Sequence, residues 1–269
     1  MNLTTLARAK SYLAGSSAAL PGLDAVYGQL VGAASAAVCD YCSRTFQRAT
    51  FTNMRLNGSG SSRQALPSNP IISVSSVMLG ATAVPVSADG CAYGYQYDSK
   101  MLYLFGASFP MGSRNVGITF STGWATTESG TIPAAPYQIT PKTGSGIDAG
   151  GNPSNTSGYA YRDEGVTING VAAVAVASGP SAGQYSFSSE GVYTFAAADM
   201  GKAAVMSYDF IPAAVEQAAL DTMGTWLKQK DNLGIASKSL ANETVSYRDL
   251  GLSKSSQAIL QPYRWGLLP

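Results

Sequence analysis

Apolar residues recur at helical spacing near the start of the chain. Thr4 or Thr5 is suited to cap a short helix that runs through Leu13, because a hydroxyl oxygen can accept a first-turn N–H. A longer helix is predicted from Leu23, with the charge of Asp24 in its first turn. Its apolar stripe falls at i, i+3, i+4 and i+7 positions: Leu23, Val26, Tyr27, Leu30, Val31, Ala34, Val38, Tyr41 and Cys42.

From Phe51 to Trp124 the pattern changes to short runs bounded by turn residues, which is typical of strands. Apolar and polar positions alternate in two of these runs: Ile72, Val74, Ser76, Met78 and Val116, Ile118, Phe120. The segment Asn57–Ser62, NGSGSS, predicts a turn or loop. This part of the chain is therefore predicted to form β-structure.

Between Ile132 and Ile211 strand-like runs continue, separated by turn signals about 8–12 residues apart, as in an antiparallel sandwich or barrel. The block opens with three prolines and the Gly/Ser/Asn-rich segment Gly144–Gly158. It carries three basic and six acidic residues, a net charge of −3, whereas the whole chain is at +1. The difference in charge and pattern suggests an inserted module.

Helical spacing returns after Pro212, which suits the first turn of a helix because it lacks an N–H. The predicted buried face comprises Val215, Ala219, Met223, Trp226 and Leu227. Gly234 is expected to stop this helix, and an extended polar segment, IASKSLANETVSY, follows. Ser253 or Ser255 can cap a last short helix that ends at Pro262.

Composition removes several classes of function. The chain of 269 residues contains no histidine, which excludes Ser-His-Asp and Cys-His catalysis and every His-ligated metal site. Three cysteines cannot form a four-cysteine zinc site or an even set of disulfides, and this favours a reducing compartment. A net charge of +1 argues against nucleic-acid binding as the main task.

Targeting signals are weak. Ser11–Leu20 only faintly imitates a signal peptide, because its apolar content is poor. Ala25–Cys39 is too short and too rich in small residues for a membrane span, which needs about 20 residues. We therefore expect an intracellular product that is not bound to a membrane.

The remaining motifs favour structural interpretations. Cys39 and Cys42 form a CxxC pattern late in a helix, where core packing is a better interpretation than a redox or metal role. Gly144–Gly151 lacks the lysine of a phosphate loop. Asp163 and Glu164 are the only adjacent acidic pair; a glycosidase or calcium site is the functional alternative to a solvated strand edge. No catalytic constellation is predicted, and no cofactor.

Aromatic and basic residues leave two further possibilities open. The 15 tyrosines and 3 tryptophans could stack on sugars or bases, although most are more simply core residues. The basic residues after Trp226 are widely spaced: Lys228, Lys230, Lys238, Arg248, Lys254 and Arg264. They are expected either to lie on a solvated face or to make weak contacts with phosphates or with an acidic protein surface.

The two outer parts resemble the head–tail connector (adaptor, head-completion) proteins of tailed bacteriophages. The resemblance lies in the order and spacing of several pieces: LTTLARAKSYL, LVGAASAAVCDYCSRTF, NPIISVSSVMLGATAV, NVGITFSTGW, IPAAVEQAALDTMGTWLKQKDNLGIASKSLANETVSY and AILQPYRW. Together they cover about residues 3–133 and 207–265. The inserted block, which the short members of the family lack, is the departure.

The resemblance implies a fold of the α+β class. It comprises a helical connector domain over residues 1–133 and 207–269, with N-terminal helices, a long C-terminal helix and a small β-sheet. Residues 134–206 form an inserted antiparallel, β-sandwich-like module. The implied function is that of a non-enzymatic virion protein at the head–tail junction, assembled in the host cytoplasm, that forms a ring beneath the portal and extends the DNA channel.

The implied partners are the portal protein, further copies in a ring with the portal's twelve-fold symmetry by analogy, the next tail or neck protein, and passing phage DNA. Residues expected to dock on the portal or on neighbouring subunits lie in the extended segment and the tail: Lys238, Ser239, Leu240, Val245, Tyr247, Tyr263, Arg264, Trp265, Leu267 and Leu268. Residues expected to face the channel are Lys228, Lys230 and Lys254.

Three alternatives stay open at this point. A carbohydrate-binding or adhesin-like β-protein would explain the Ser/Thr/Gly-rich strands, but not the helical flanks. A neck or stopper protein one position further down the tail differs only in its partner. A hydrolase that uses Asp163 and Glu164 is the enzymatic alternative.

Overall fold

The structure is a computed structural model that describes residues 2–14, 24–141, 146–147, 153–154, 158–229, 237–240, 243–246 and 251–264. The chain divides into two compact units. Unit 1 comprises residues 1–44 and 126–269, and unit 2 comprises residues 45–125.

Four α-helices in the described residues belong to unit 1: α1 Leu6–Ala14, α2 Asp24–Cys42, α3 Ala213–Gln229 and α4 Lys254–Leu260. The start of α1 is capped by Thr5, whose hydroxyl accepts a hydrogen bond from the Arg8 N–H at 3.2 Å. Ser253 caps α4 in the same way, accepting from the Ser256 N–H at 3.0 Å. Both caps agree with the sequence-based prediction.

The helices share one hydrophobic core, because the apolar stripes of α1, α2 and α3 face one another. Its buried members are Ala9, Leu13, Tyr27, Val31, Ala34, Leu220, Met223 and Leu227. Six further residues of the predicted α2 stripe are buried or partly buried: Leu30, Val31, Ala34, Val38, Tyr41 and Cys42. Val26 is 42% exposed, and Leu23 lies outside the described residues. The short helix α4 packs against α3.

Unit 2 contains seven strands: β1 Ala49–Gly58, β2 Arg63–Ala65, β3 Ile71–Leu79, β4 Thr82–Val84, β5 Gly94–Tyr97, β6 Met101–Phe105 and β7 Gly112–Thr122. They form a four-stranded sheet of order β1-β7-β3-β4 and a three-stranded sheet of order β2-β6-β5. The predicted apolar positions of β7 are confirmed, since Val116, Ile118 and Phe120 are buried. The alternation predicted in β3 is wrong: Ile71, Val74 and Val77 are buried instead, because the register of β3 against β7 shifts twice.

The core of unit 2 joins these two sheets. Its buried members come from both: Leu66, Ile71, Val74, Val77, Val84, Tyr95, Leu102, Leu104, Phe109, Val116, Ile118 and Phe120. The backbone at Gly58, the last residue of β1, lies very close to the backbone at Pro110. A Cβ atom on residue 58 would lie 1.9 Å from the Pro110 carbonyl oxygen. A side chain at this position would force the backbone apart.

The remaining strands are β8 Ala125–Thr131, β9 Gln138–Ile139, β10 Gly146–Ile147, β11 Pro153–Ser154, β12 Tyr159–Ile168, β13 Val171–Ala172, β14 Val174–Ala175, β15 Gln184–Phe187, β16 Tyr193–Phe195, β17 Ala203–Ile211, β18 Ser237–Leu240 and β19 Glu243–Ser246. Two four-stranded sheets have the orders β13-β12-β17-β8 and β14-β15-β16-β9. The pairs β10-β11 and β18-β19 are two-stranded. Short 3-10 helices cover Ala197–Asp199 and Gln261–Tyr263.

An aromatic cluster fills the space between the two four-stranded sheets of unit 1. Tyr193 is fully buried and lies 4.8 Å from Phe187, 6.4 Å from Phe195 and 6.5 Å from Tyr208, measured between ring centroids. These spacings are those of stacked and tilted aromatic pairs. Aromatic residues in β15, β16 and β17 thereby hold the sheets together.

The predicted fold class is wrong. Helices make up 26% of the protein and strands 40%, so it is mainly β rather than a helical connector with a small sheet. The physical reason is that the strand-like runs pair across long sequence distances, with β17 placed between β12 and β8. Helix α3 has only 17 residues, so the long C-terminal helix of the predicted connector architecture is not present in the described chain.

The boundaries of the two compact units, at residues 44/45 and 125/126, differ from the predicted module boundaries. Residues 134 and 206 both fall inside unit 1, and β17 continues through the second of them. The predicted division into a connector core and an inserted module stays a prediction.

Candidate docking site

The C-terminal part of the described chain is anchored by a small helical turn. Leu260 at the end of α4 is fully buried, and Tyr263 in the 3-10 helix that follows is 9% exposed. Pro262 lies in the first turn of that 3-10 helix, where it needs no N–H partner. The position of the chain up to residue 264 is therefore fixed on the helices of unit 1.

Two arginines hold this turn against the end of α2. Arg44 donates from Nη1 to the Tyr263 carbonyl oxygen at 3.2 Å, and the Arg264 guanidinium lies 5.0 Å from the centre of the Tyr41 ring. The Tyr41 hydroxyl in turn donates to the Gln257 carbonyl at 3.4 Å. Tyr263 and Arg264, both predicted docking residues, thus have partners within unit 1.

The predicted extended segment forms a hairpin. Four cross-strand pairs join β18 to β19: Ser237 with Ser246, Lys238 with Val245, Ser239 with Thr244, and Leu240 with Glu243. The four predicted docking residues Lys238, Ser239, Leu240 and Val245 are thereby brought into one ribbon. Within the described residues this ribbon pairs with no third strand.

The other predicted residues are distributed as follows. Lys228, in the last turn of α3, and Lys254, the first residue of α4, are both exposed. They lie on separate helices. Lys230, Tyr247, Trp265, Leu267 and Leu268 lie outside the described residues.

The CxxC pattern lies where the sequence indicated, at the end of α2. Cys42 is fully buried, and burial raises the pKa of its thiol to about 12, with the neighbouring Cys39 raising it further. Arg44 and Arg264 oppose this shift without cancelling it. A thiol in this state is a poor nucleophile, because the thiolate is the reactive form.

The adjacent carboxylates Asp163 and Glu164 are engaged in separate contacts. Asp163 accepts hydrogen bonds from the Tyr185 hydroxyl at 2.5 Å and the Tyr193 hydroxyl at 2.9 Å. Glu164 instead forms an ion pair with Arg162 at 2.8 Å. The strand register shifts between Asp163 and Gly165, so Glu164 is the extra residue of a bulge. The two groups are thus not arranged as a cooperating acid and base.

Unit 1 contains a shallow cavity of about 260 Å³ near the turn that joins β12 to β13. Its polar lining includes Asp199, whose carboxylate accepts from the Lys202 ammonium at 2.7 Å and from the Gly183 N–H at 2.8 Å. Burial raises the pKa of Asp199, but these hydrogen bonds together outweigh it and leave the pKa lowered. The carboxylate is therefore an ionised structural group that ties two turns together.

A buried polar cluster joins α1 to α3, and sequence reasoning missed it. Glu216 accepts hydrogen bonds from Arg8 and from the Thr4 hydroxyl, and the Thr5 hydroxyl donates to Glu190 at 2.6 Å. The Arg8 guanidinium also lies 5.2 Å from the centre of the Tyr159 ring. The partners are about 200 positions apart in the chain, so no local pattern could reveal the cluster.

The described residues contain neither a cluster of metal-binding side chains nor a helix suited to a membrane. No three acidic, cysteine or histidine side chains in this part of the chain are grouped as metal ligands would be. None of the helices that the structure describes is long and apolar enough to cross a membrane.

Comparison with known proteins does not assign a family. No protein-family model matches the chain, and the comparison with curated proteins found no match.

Proposed function

We propose that this protein is a structural virion protein that forms a ring beneath the phage portal, joins the head to the tail and extends the DNA channel. One observation carries the proposal: the hairpin of β18 and β19 is a two-stranded ribbon that pairs with no third strand of the described chain. The proposal keeps the function implied by the sequence resemblance but places it on a mainly β fold.

A two-stranded ribbon by itself is marginally stable in water. Each of its outer edges presents backbone N–H and C=O groups that a further strand can satisfy. Addition of a strand from another chain is a common way to meet this need. In a ring on a portal, that strand comes from the portal or from the neighbouring subunit.

The hairpin lies in the sequence between two anchored elements. Leu227 near the end of α3 is 8% exposed and belongs to the helical core, and Leu260 in α4 is fully buried. Both ends of the intervening segment are therefore held by unit 1. Such an arrangement suits an arm that must reach a partner from a defined position.

The described polar groups also fit a structural role. The carboxylates of Asp163, Asp199 and Glu216 each accept two or more internal hydrogen bonds. The proposed channel residues Lys228 and Lys254 are exposed, and they are candidates for weak contact with passing DNA.

The proposal is tested by mixing the purified protein with portal rings from the same virus and imaging the mixture by negative-stain electron microscopy. We expect a second ring stacked coaxially on the portal. Replacement of Ser237–Ser246 by a Gly/Ser linker of equal length should abolish the second ring and leave the melting temperature unchanged.

The matched control replaces the second two-stranded hairpin, β10 and β11, which spans residues 146–154 and has only two cross-strand pairs. This variant should still bind the portal. Failure of the unaltered protein to associate, or undiminished association of the β18–β19 replacement, contradicts the proposal.

A further inference from the structure

Unit 2 presents a set of partly exposed apolar side chains on its three-stranded sheet. We call the surface formed by Met101, Tyr103 and Phe105 the aromatic face. All three residues are partly exposed. Exposed aromatic residues that lie side by side mark interaction sites more often than scattered ones do.

The face follows from the alternation along β6. Leu102 and Leu104 point into the core of unit 2 and are 0% and 3% exposed. Met101, Tyr103 and Phe105 therefore lie on the opposite side of the sheet. Because β6 is the middle strand, these side chains stand at the centre of the sheet rather than at its edge.

The backbone of a neighbouring segment lies beside β5 at the end of this face. Gly94 is the residue opposite Phe105 on β5, and a Cβ atom there would lie 2.7 Å from the Ser87 backbone nitrogen. Its φ of +154° also disfavours a side chain. The face is therefore bordered by backbone at Phe105, and its open part lies around Tyr103.

Polar groups flank Tyr103 on both neighbouring strands. The register places Arg63 of β2 and Gln96 of β5 directly opposite Tyr103, with the Arg63 guanidinium 5.9 Å from the centre of the ring. The Tyr103 hydroxyl donates to Asp98 Oδ2 at 2.7 Å. Asp98 Oδ1 accepts the N–H groups of Lys100 and Met101, so the carboxylate is held in place at the end of the face.

We propose that the aromatic face binds a neutral carbohydrate. The C–H faces of a sugar ring stack on flat aromatic side chains, and its hydroxyls both donate and accept hydrogen bonds. The flanking groups match this requirement: Arg63 only donates, Asp98 only accepts and Gln96 does both. Tyr103 and Phe105 lie about 7 Å apart along the strand, so a short oligosaccharide can cover both rings.

A nucleic-acid strand would use the same stacking surface, but the charges favour a sugar. Single-stranded nucleic acids bind to aromatic residues within a positively charged groove. Here the charge of Arg63 beside the Tyr103 ring is offset by the Asp98 carboxylate, which accepts the Tyr103 hydroxyl. The surroundings of this ring therefore do not form a positively charged groove, whereas sugar hydroxyls can donate to Asp98 and accept from Arg63.

The inference is independent of the proposed virion function, because it concerns unit 2 and its test needs no portal. Isothermal titration of the full-length protein with neutral hexasaccharides of glucose, N-acetylglucosamine, mannose and galactose should detect binding of at least one. The substitutions Tyr103→Ala and Phe105→Ala should each weaken that binding about tenfold or more. Met111→Ala removes an 84% exposed side chain of the same unit and serves as the matched control.

Melting temperatures separate loss of binding from loss of folding. If Tyr103→Ala does not fold, Arg63→Ala and Tyr103→Phe test the same face with smaller changes, and both should weaken binding. The inference is overturned if none of the four hexasaccharides binds at millimolar concentration, or if binding is equal in all variants. Binding of an oligothymidylate in place of the sugars also overturns it.

Discussion

Arg8 and Glu216, 208 positions apart, are joined by two parallel hydrogen bonds, from Nε to Oε1 at 2.6 Å and from Nη2 to Oε2 at 2.7 Å. The Glu216 side chain is 6% exposed, and it also accepts the Thr4 hydroxyl at 2.8 Å. The hydrogen bond to Glu216 raises the pKa of Arg8 and outweighs the effect of burial. This contact fixes the first helix of the chain to the start of α3.

Removal of this carboxylate should destabilise unit 1. Glu216→Ala leaves the Arg8 guanidinium and the Thr4 hydroxyl without their acceptor, and we expect a loss of about 2 kcal/mol. The expected loss of unfolding free energy is smaller than for a fully buried ion pair because the Arg8 side chain is 36% exposed. Urea denaturation measures the change.

The ion pair between Lys10 and Asp24 provides the control. Its side chains are 37% and 59% exposed, so Lys10→Ala, which leaves Asp24 in the first turn of α2, should change the free energy of unfolding by less than about 0.5 kcal/mol. Equal effects of the two substitutions would show that the Arg8–Glu216 contact stabilises the fold no more than an exposed ion pair does.

The carboxylate of Asp163 should matter far more than that of its neighbour. Asp163→Ala removes the acceptor of the Tyr185 and Tyr193 hydroxyls, and we expect a loss of about 2–3 kcal/mol. Glu164→Ala breaks an ion pair with Arg162, whose side chain is 55% exposed, and should cost less than about 1 kcal/mol. Thermal unfolding of the two single variants compares them directly, and a larger effect of Glu164→Ala would contradict this interpretation.

Stability should decline in alkaline solution because several tyrosines resist ionisation in the folded state. Burial raises the pKa of Tyr185, Tyr193 and Tyr208 above the ordinary range, and their hydrogen bonds to carboxylates raise it further. Burial also raises the pKa of Tyr159, to about 12. The unfolded chain ionises its tyrosines near pH 10. These groups therefore contribute stability that is complete below about pH 10 and is lost as the pH rises towards the folded values.

Two measurements check the alkaline prediction. Urea midpoints between pH 8 and 11 should fall beyond about pH 10, with a smaller slope in Tyr208→Phe. The absorbance of tyrosinate should show that part of the tyrosines titrates only when the protein unfolds. Titration of all tyrosines in the folded protein near pH 10 would refute the prediction.

The three cysteines should differ in reactivity. Cys91 is exposed, Cys39 is partly buried and Cys42 is fully buried with its pKa raised to about 12. An aromatic disulfide reagent at pH 8 should label Cys91 first and Cys42 only after denaturation. Peptide mapping by mass spectrometry identifies the labelled residue, and the variant Cys91→Ser should lose the fast phase. Fast labelling of Cys42 in the native protein would contradict its placement in the core.

Local patterns predicted local structure well. The caps at Thr5 and Ser253 and the buried positions Tyr27, Val31 and Val38 could all be read from nearby residues. Helix periodicity and capping act over a few residues, which is why a single sequence reveals them.

The larger share of strands than of helices in the fold could not be predicted from local patterns. Strand β17 finds its partners in β12 and β8, and nothing within β17 specifies those partners. Helical patterns are clearer in a single sequence than those of short strands, so the sequence-based prediction overstates the helical share of the fold. The polar cluster around Glu216 and the aromatic face around Tyr103 likewise depend on residues that only the folded chain brings together.

The division into two units has a consequence for the order in which the protein is made. Unit 2 is continuous over residues 45–125, so all its strands are available once that stretch has left the ribosome. The ion pair between Arg8 of α1 and Glu216 can form only later, because Glu216 is translated more than 200 residues after Arg8. Domains that fold during synthesis do so as their sequence becomes complete. We therefore expect unit 2 to acquire its structure first and the amino-terminal helix to be among the last elements secured.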